Sequence, residues 1–339
     1  MEFNWKERLR LIKSFTFFRL INALKLYSSY FVSYLLRRPV QWGFPLSIAF
    51  EPTTSCNLRC PECPSGLRSF TRPTGNADLS KFNSLIDQVK RHVSYLTLYF
   101  QGEPFLNPSF FEMITIAKKA KMYTATSTNA HFLSEENCIN TIRSGLDRLI
   151  ISLDGISEES YSKYRVGGDL IKVENGIKAL VKAKKQLNSV TPFIIVQTIA
   201  FSHNEHELDE IRSLKKEWGV DQVLIKTAQV SKPEESDLLP KNPKLSRYKY
   251  TNGNYSLDSK LPNRCWRMWS SPVITQDGEL IPCCFDKDAD HAMGNVSASN
   301  SFKEVWKNNK LASFRKQLFT DRKSIEICKN CSEGVKVWN

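Results

Sequence analysis

Long apolar segments and histidine are both scarce in this sequence. The longest weakly polar run, Leu26 to Leu36, has eleven residues, whereas a helix needs about 20 apolar residues to cross a bilayer. No small-residue cleavage site follows that run, so we expect no secretory signal peptide. The five histidines are scattered without metal-binding spacing, and no internal repeat is visible. Because 41% of the residues are hydrophobic and 24% are charged, the composition is that of a globular protein and excludes disordered and fibrous classes.

Acidic residues are too few to balance the basic ones. Lys and Arg number 48 against 35 Asp and Glu, which gives a net charge of +13, and such a surplus attracts anions. Residues 1–45 hold eight basic and two acidic residues, with apolar residues near helical spacing. We predict a basic amphipathic helical arm there, packed on the protein or on a partner; the alternative is a helix that lies on an anionic membrane. A nucleic-acid partner is not expected, because the interleaved aromatic and basic residues of a stacking platform are absent.

The cysteines are clustered along the chain. There are nine of them: Cys56, Cys60, Cys63, Cys138, Cys265, Cys283, Cys284, Cys328 and Cys331. Without an export signal we place the chain in the cytoplasm, with peripheral attachment to the inner membrane as the alternative. In that reducing compartment, clustered cysteines bind metal more often than they form disulfides. Cys138 stands apart in a predicted amphipathic helix, where a buried structural thiol is expected.

Six short apolar segments alternate with amphipathic helices. The strands are predicted at 47–50, 95–100, 124–129, 148–153, 193–199 and 222–226. Helices are predicted at 78–90, 109–121, 171–187 and 205–218, with another between an N-cap at Ser134 and Gly145. This alternation indicates parallel βα units, which right-handed crossovers curl into a barrel or an open part-barrel. In such barrels the chemistry gathers at the C-terminal ends of the strands.

The C-terminal third of the chain changes character. Residues 231–263 are rich in Ser, Pro, Asn and Lys and are predicted as a linker. Beyond them, Val273–Thr275 and Glu279–Pro282 predict a hairpin that turns at Gly278. The predicted organisation is therefore a helical arm (1–45), an α/β core (46–230), a linker (231–263) and a small C-terminal module (264–339).

Three cysteines follow the first predicted strand, in the order Cys56-Asn-Leu-Arg-Cys60-Pro-Glu-Cys63. Three thiolates so close together can face one metal centre, although zinc usually takes four ligands. The spacing C-x3-C-x2-C after a strand resembles that of the radical S-adenosylmethionine (radical SAM) superfamily. The resemblance implies a partial (βα)6 TIM-like barrel and a 4Fe–4S cluster whose fourth iron binds SAM. It also implies reductive cleavage of SAM to a 5′-deoxyadenosyl radical, which abstracts a hydrogen atom from the substrate. The alternative is a zinc loop that borrows a fourth ligand.

Further segments resemble the SAM-binding strand ends of that superfamily. The stretch 99–104 resembles its Gly-Gly-Glu-Pro segment, with Gln101 in place of the first glycine. The stretch 126–129 resembles its Thr-Asn-Gly segment, with Ala130 in place of the glycine. The SAM contacts implied by resemblance are Gly102, Glu103, Thr128, Asn129, Ser152, Asp154 and Arg165. The alternatives are a helix-start charge for Glu103, a capped turn for Ser152 and Asp154, and a surface charge for Arg165.

A second cysteine set lies in the C-terminal module. The spacing from Cys265 through Gly278 to Cys283 resembles the opening of the SPASM and twitch extensions of radical SAM enzymes. The resemblance implies one auxiliary 4Fe–4S cluster on Cys265, Cys283, Cys328 and Cys331. Cys284 is an alternative to Cys283, and a four-thiolate zinc site is the alternative to a cluster.

The resemblance implies an oxidoreductase or maturase that carries out a net oxidation or modifies a peptide or small molecule. The auxiliary cluster would accept an electron or position the substrate, and the expected partners are that substrate and a reductant such as flavodoxin or ferredoxin. No residue identifies the substrate or a catalytic acid or base. The alternatives are an RNA-modifying radical SAM protein and a non-catalytic zinc-binding protein.

Overall fold

The computed structural model describes residues 4–257 and 261–331. They form two compact units. The first unit comprises the described parts of Met1–Ser55, Phe70–Ala125 and Leu261–Lys336. The second comprises Cys56–Ser69 and the described part of Thr126–Lys260.

Strands and helices alternate through most of the described residues. The strands are β1 (Ser47–Phe50), β2 (Tyr95–Thr97), β3 (Tyr123–Thr128), β4 (Arg148–Ser152), β5 (Phe193–Ala200), β6 (Gln222–Thr227), β7 (Tyr248–Thr251), β8 (Asn254–Leu257), β9 (Val273–Ile274), β10 (Glu279–Ile281) and β11 (Gly294–Asn295). The helices are α1 (Trp5–Lys13), α2 (Phe17–Leu36), α3 (Pro64–Leu67), α4 (Leu79–Val89), α5 (Phe110–Lys119), α6 (Glu135–Arg143), α7 (Glu158–Tyr164), α8 (Leu170–Gln186), α9 (Leu208–Glu217), α10 (Arg267–Ser270), α11 (Phe302–Trp306), α12 (Asn309–Asp321) and α13 (Glu326–Lys329).

The strands of the first unit form a mixed sheet. Its order is β11-β10-β9-β1-β2-β3, in which β9, β1, β2 and β3 are parallel and the β9–β10–β11 ribbon is antiparallel. The register pairs Ile48 with Leu96 and Leu96 with Thr124. The predicted C-terminal hairpin is confirmed, and Gly278 in its turn has a φ of +101°, a conformation that glycine adopts without strain.

The second unit carries the parallel strands β4, β5 and β6 in that order, and the antiparallel hairpin β7–β8. Ile150 pairs with Ile195, and Val196 pairs with Val223. The six predicted βα strands are all present, so the α/β fold class is confirmed.

Amphipathic helices cover the strands with the residues that periodicity selects. Phe82 and Ile86 of α4 are buried, as are Val173, Ile177 and Leu180 of α8. The helix α6 begins where predicted, because the Ser134 side chain accepts a hydrogen bond from the backbone N–H of Asn137.

The segment predicted as a linker is folded where the structure describes it. Leu238, Leu239 and Tyr248 from this segment join a buried cluster that includes Leu58 and Cys60. These residues therefore pack against the loop that carries the first cysteine set. None of the described helices is long and apolar enough to span a membrane.

Candidate functional site

The first cysteine loop is held in the second unit by its own backbone and by a glycine. Cys60 is buried, and its carbonyl accepts a hydrogen bond from the N–H of Cys63 at 3.2 Å. The helix α3 starts directly after Cys63 with a proline, whose fixed φ suits the first helical position. A Cβ on Gly66 would lie 2.6 Å from both the N and the O of Cys60. The loop can therefore take this path only with glycine at position 66.

Hydrogen-bond donors lie beside two of the three thiols. The Asn129 Nδ2 atom is 3.9 Å from the Cys56 Sγ atom and 2.7 Å from Asn57 Oδ1. The Arg165 Nη1 atom is 3.8 Å from the Cys60 Sγ atom. Donors at the sulfurs are the means by which proteins tune iron–sulfur clusters.

A buried acid fixes the guanidinium of Arg165. Its Nε and Nη2 atoms lie 2.7 and 2.5 Å from Asp154 Oδ2. The other carboxylate oxygen, Oδ1, accepts a hydrogen bond from the N–H of Ile199 at 2.7 Å. Arg165 is thus part of a buried ion pair and not the surface charge of the alternative prediction.

Burial and the ion pair of Arg165 with Asp154 determine the charges at the first cysteine loop. Burial raises the pKa of the Cys60 thiol, and the nearby guanidinium of Arg165 opposes that rise. Burial also disfavours charge on Arg165, but Asp154 and Cys60 outweigh it and raise the pKa of Arg165 above its ordinary value. The thiol set therefore has a permanent cation beside it, which suits an anionic thiolate cluster.

Two of the predicted SAM contacts belong to the first unit. Gly102 has a φ of +72°, and a Cβ there would lie 2.4 Å from the Thr53 carbonyl oxygen and 2.8 Å from that of Ser55. The N–H of Glu103 donates to the Ser55 carbonyl at 2.7 Å, and Glu103 Oε1 accepts from the N–H of Phe105 at 3.3 Å. Glu103 therefore caps the short turn Pro104–Leu106, as the alternative prediction has it. A contact of Gly102 and Glu103 with SAM remains a prediction.

The remaining predicted contacts lie at the ends of β3 and β4. Thr128 Oγ1 accepts a hydrogen bond from the N–H of Ala130 at 3.0 Å. Ala130 has a φ of +66°, a left-handed conformation that favours the glycine typical of the superfamily at this position. Ser152 ends β4 and pairs with Gln197 of β5. Within the second unit, the structure thus brings Asn129, Asp154 and Arg165 to the cysteine loop.

The four C-terminal cysteines of the prediction are all buried in the first unit. Cys283 follows β10, Cys328 lies in α13, and the N–H of Cys331 donates to the Cys328 carbonyl at 3.1 Å. Burial raises the pKa of Cys283 well above its ordinary value, and Cys284, Cys265 and Cys331 raise it further. Cys283 therefore lies among the predicted ligands, whereas Cys284 is half-buried.

A buried arginine lies beside these thiols, and no sequence motif predicts it. The Arg322 Nη2 atom is 3.5 Å from the Cys331 Sγ atom, and Nη1 donates to the Arg264 carbonyl at 2.9 Å. Burial disfavours its charge, but Cys265, Cys331 and Cys328 raise the pKa of Arg322 above its ordinary value. Arg322 is six residues before Cys328 in a stretch without recognisable spacing, so only the folded chain reveals the contact.

The residues of both thiol sets fit iron–sulfur clusters by their donor chemistry. Within residues 4–257 and 261–331, no group of three or more His, Cys, Asp and Glu side chains converges on a single-ion site. The fit therefore rests on donor chemistry and charge: thiol ligands with an arginine beside each set. On these grounds Cys56, Cys60 and Cys63 suit a cluster with one open iron, and Cys265, Cys283, Cys328 and Cys331 suit a fully ligated one. Cys138 is buried in α6, where burial raises its pKa to about 12, as expected of a structural thiol.

Comparison with known proteins identifies both regions. The family model described as "Radical SAM superfamily" matches residues 50–214, and the model described as "Iron-sulfur cluster-binding domain" (SPASM) matches residues 265–332. A cofactor-modifying protein for the tungsten-containing aldehyde ferredoxin oxidoreductase of Pyrococcus furiosus is 24% identical over 311 residues, covering 83% of this chain and 86% of that protein. The PqqA peptide cyclase of Gluconobacter oxydans is 23% identical over 314 residues, covering 87% and 84%.

A solved structure shows the same fold. Streptococcus suis SuiB bound to S-adenosylmethionine superposes with a TM-score of 0.62 at 15% identity, covering 87% of this chain and 73% of that one. Another structure of SuiB, bound to its precursor peptide SuiA, gives a TM-score of 0.61 at 15% identity and covers 87% and 72%. The α/β fold that the alternation of strands and helices predicts, and that the resemblance implies, is confirmed.

Proposed function

The chain is a member of the radical SAM superfamily with a C-terminal SPASM domain, and we propose that it modifies a peptide or a small molecule by way of a substrate radical. It is an enzyme that uses SAM and 4Fe–4S clusters. We propose both the class of its substrate and the residues that hold SAM and the two clusters. The observation that carries it is the loop Cys56–Cys63 with Asn129 and Arg165 beside its sulfurs.

When bound, SAM and the first cluster would supply a 5′-deoxyadenosyl radical that removes a hydrogen atom from the substrate, and the auxiliary cluster would accept a further electron, so that the substrate undergoes a net oxidation. Cys56, Cys60 and Cys63 would hold the cluster that binds SAM. Cys265, Cys283, Cys328 and Cys331 would hold the auxiliary one. Arg322 keeps a positive charge beside this second set.

The protein's own side chains prepare the SAM site. Asp154 holds Arg165 in one orientation, so that a fixed cation is available to a carboxylate ligand such as that of SAM. Thr128, Asn129 and Ser152 offer hydroxyl and amide groups at the ends of β3 and β4. Gly102 leaves room for close backbone packing, and the Glu103 carboxylate suits the SAM ammonium group.

The substrate class is inferred from the relatives. One relative is named as a cofactor-modifying protein and another as a peptide cyclase, and SuiB was solved with a precursor peptide. These names favour a peptide or a small cofactor-like molecule as the substrate. The electron that cleaves SAM requires a protein reductant such as flavodoxin or ferredoxin, whereas the electron that the substrate radical loses would pass to the auxiliary cluster. We propose the cytoplasm, where such reductants are found, as the location of the activity. Peripheral contact with the inner membrane through residues 1–45 remains a prediction under this function.

Formation of 5′-deoxyadenosine tests the proposed activity. The reconstituted protein is incubated without oxygen with dithionite and SAM, and the products are separated by chromatography. We expect 5′-deoxyadenosine from the wild type and none from Cys60→Ala. The buried thiol Cys138 provides the matched control, because Cys138→Ala should retain the activity. Equal product from the wild type and Cys60→Ala would contradict the proposal.

A further inference from the structure

The N-terminal helix α2 is packed with its polar side inward. Its buried residues are Arg19, Asn22, Leu26, Ser29 and Ser33, so four of the five carry polar side chains. In an ordinary surface helix the buried face is apolar. In α2 this orientation is reversed, and the hydrogen bonds of its polar residues explain why.

Arg19 binds the C-terminal ends of three other helices of the first unit, α1, α4 and α5. Its Nη1 atom donates to the carbonyls of Ser14 and Lys121, at 2.6 and 2.7 Å. Its Nη2 atom donates to those of Lys90 and Ala120, both at 2.7 Å. Lys90 and Ala120 are the C-caps of α4 and α5, where helix carbonyls lack intrahelical partners and favour a cation. Arg19 therefore fixes the start of α2 and the face that it buries.

The rest of α2 is fixed in the same way. The Asn22 side chain accepts from the N–H of Phe44 at 2.8 Å and donates to the Phe44 carbonyl at 3.0 Å. Near the C-terminal end, Ser33 Oγ accepts from the N–H of Val40 at 2.8 Å. Contacts at both ends and in the middle hold the helix lengthwise against its unit.

The opposite side of α2 is apolar and open to solvent. We define the outer apolar face as Phe17, Leu20, Leu24, Phe31 and Leu35, each between 51 and 72% exposed. Their spacing of three, four and seven residues places them on one side of the helix. In α1, Trp5, Leu9 and Ile12 are also at least half exposed. Monomeric proteins rarely expose so continuous a set of large apolar side chains without an interaction partner.

The exposed charged residues of the segment 4–46 are all basic. Lys6, Arg8, Lys13, Lys25, Arg37 and Arg38 are exposed. Within residues 4–46 of the described chain the single acidic residue is Glu7, which is fully buried and accepts a hydrogen bond from the Tyr123 hydroxyl at 2.8 Å. A segment that combines exposed cations with an apolar face complements an anionic surface with an apolar interior.

We propose that the outer apolar face of α2, with the adjoining apolar residues of α1, docks on an anionic lipid bilayer. The apolar side chains enter the boundary between headgroups and acyl chains while the surrounding lysines and arginines meet the lipid phosphates. Because polar contacts hold α2 lengthwise, the helix lies in the plane of the membrane. Docking brings the enzyme to the membrane surface and so favours substrates that are found there.

Sedimentation with vesicles tests the docking. The full chain is mixed with vesicles of phosphatidylcholine and phosphatidylglycerol, or of phosphatidylcholine alone, and the bound fraction is measured. We expect binding to the anionic vesicles and at least about tenfold weaker binding for Leu24→Glu/Phe31→Glu, because two apolar side chains no longer enter the lipid. Ile171→Glu in α8 replaces an equally exposed apolar residue (70%) outside this region and should bind like the wild type.

A second variant separates the charge from the apolar contact. Lys25→Gln/Arg38→Gln keeps the outer apolar face and should bind anionic vesicles at least about tenfold less tightly, since each cation contributes about a factor of five. Circular dichroism verifies that all variants are folded. Absence of wild-type binding to anionic vesicles, or unchanged binding of both double variants, overturns the proposal. So does a wild-type dimer that Leu24→Glu/Phe31→Glu dissociates and that binds no vesicles, because a second copy then covers the face.

Discussion

Arg165 and Asp154 form a buried ion pair at the edge of the first cysteine loop. The Arg165 Nη2 atom lies 2.5 Å from Asp154 Oδ2, and the Asp154 side chain is fully buried. The same guanidinium reaches the Cys60 Sγ atom at 3.8 Å. One side-chain pair therefore links the end of β4 to the thiols, and its charge is available to groups bound beside them.

Removing the acid of this pair should cost both stability and SAM affinity. Asp154→Asn leaves Arg165 with a buried, uncompensated charge, which destabilises a protein by about 3–5 kcal/mol. We also expect SAM to bind at least about tenfold more weakly, because Arg165 loses its fixed orientation. Urea unfolding and equilibrium dialysis measure the two effects. Asp209→Asn removes an exposed partner of Arg212 and should change stability by less than about 1 kcal/mol; equal losses in both variants would contradict this role.

The neighbours Cys283 and Cys284 should differ sharply in iron binding. Cys283 is buried, and its neighbours Cys265 and Cys331 raise its pKa, whereas Cys284 is half-buried. We expect Cys283→Ala to lose about four irons per chain after reconstitution, and Cys284→Ala to lose none. Iron analysis decides between the two residues. The reverse result would assign the ligand to Cys284.

Arg322 should raise the reduction potential of the auxiliary cluster. A buried cation 3.5 Å from the Cys331 Sγ atom stabilises the reduced cluster, which carries one more negative charge. Arg322→Met should therefore lower the midpoint potential by at least about 60 mV, a factor of ten in a one-electron equilibrium.

Two further variants separate charge from packing at this position. Arg322→Lys retains the charge and should restore part of the potential. Lys323→Met removes the adjacent exposed charge and should leave the potential unchanged, because water screens it. A redox titration followed by electron paramagnetic resonance measures all three. An unshifted potential in Arg322→Met would reduce Arg322 to a packing role.

Gly102 should be intolerant of a side chain for a steric reason beyond its backbone conformation. Gly102 and Gly253 have similar φ values, +72° and +82°, but a Cβ on Gly253 meets no atom within 4 Å. Gly253→Ala should therefore cost only the left-handed conformation, about 1–2 kcal/mol. Gly102→Ala should cost about 1–3 kcal/mol more because of the Thr53 and Ser55 carbonyls. Thermal unfolding compares the variants, and equal losses would show that the close approach is relieved without cost.

Local sequence patterns predict the strands and the grouping of the cysteines better than they predict long-range contacts. The alternation of apolar segments with amphipathic helices gives β1 to β6 within a few residues, since hydrophobic periodicity is a local property. The spacing of Cys56, Cys60 and Cys63 is likewise local. The contact between Arg322 and Cys331 depends on how the chain folds around them, so no sequence spacing predicts it.

The helix α2 shows a different limit of periodicity. Its sequence predicts which residues share a face, but an apolar face is ordinarily assigned to the interior. Here Arg19 finds four carbonyl acceptors, which the sequence does not reveal, and these place the polar side inward. The outer apolar face follows from that tertiary contact.

Electron paramagnetic resonance of the reconstituted, reduced protein, with and without SAM, tests the central claim most directly. We predict about eight irons per chain and a reduced cluster signal that changes when SAM is added, since one of two 4Fe–4S clusters has an open iron. Cys60→Ala should retain about four irons and lose the response to SAM. A protein that takes up no iron and shows no signal that responds to SAM would contradict the assignment of Cys56, Cys60 and Cys63 as the ligands of a SAM-binding cluster.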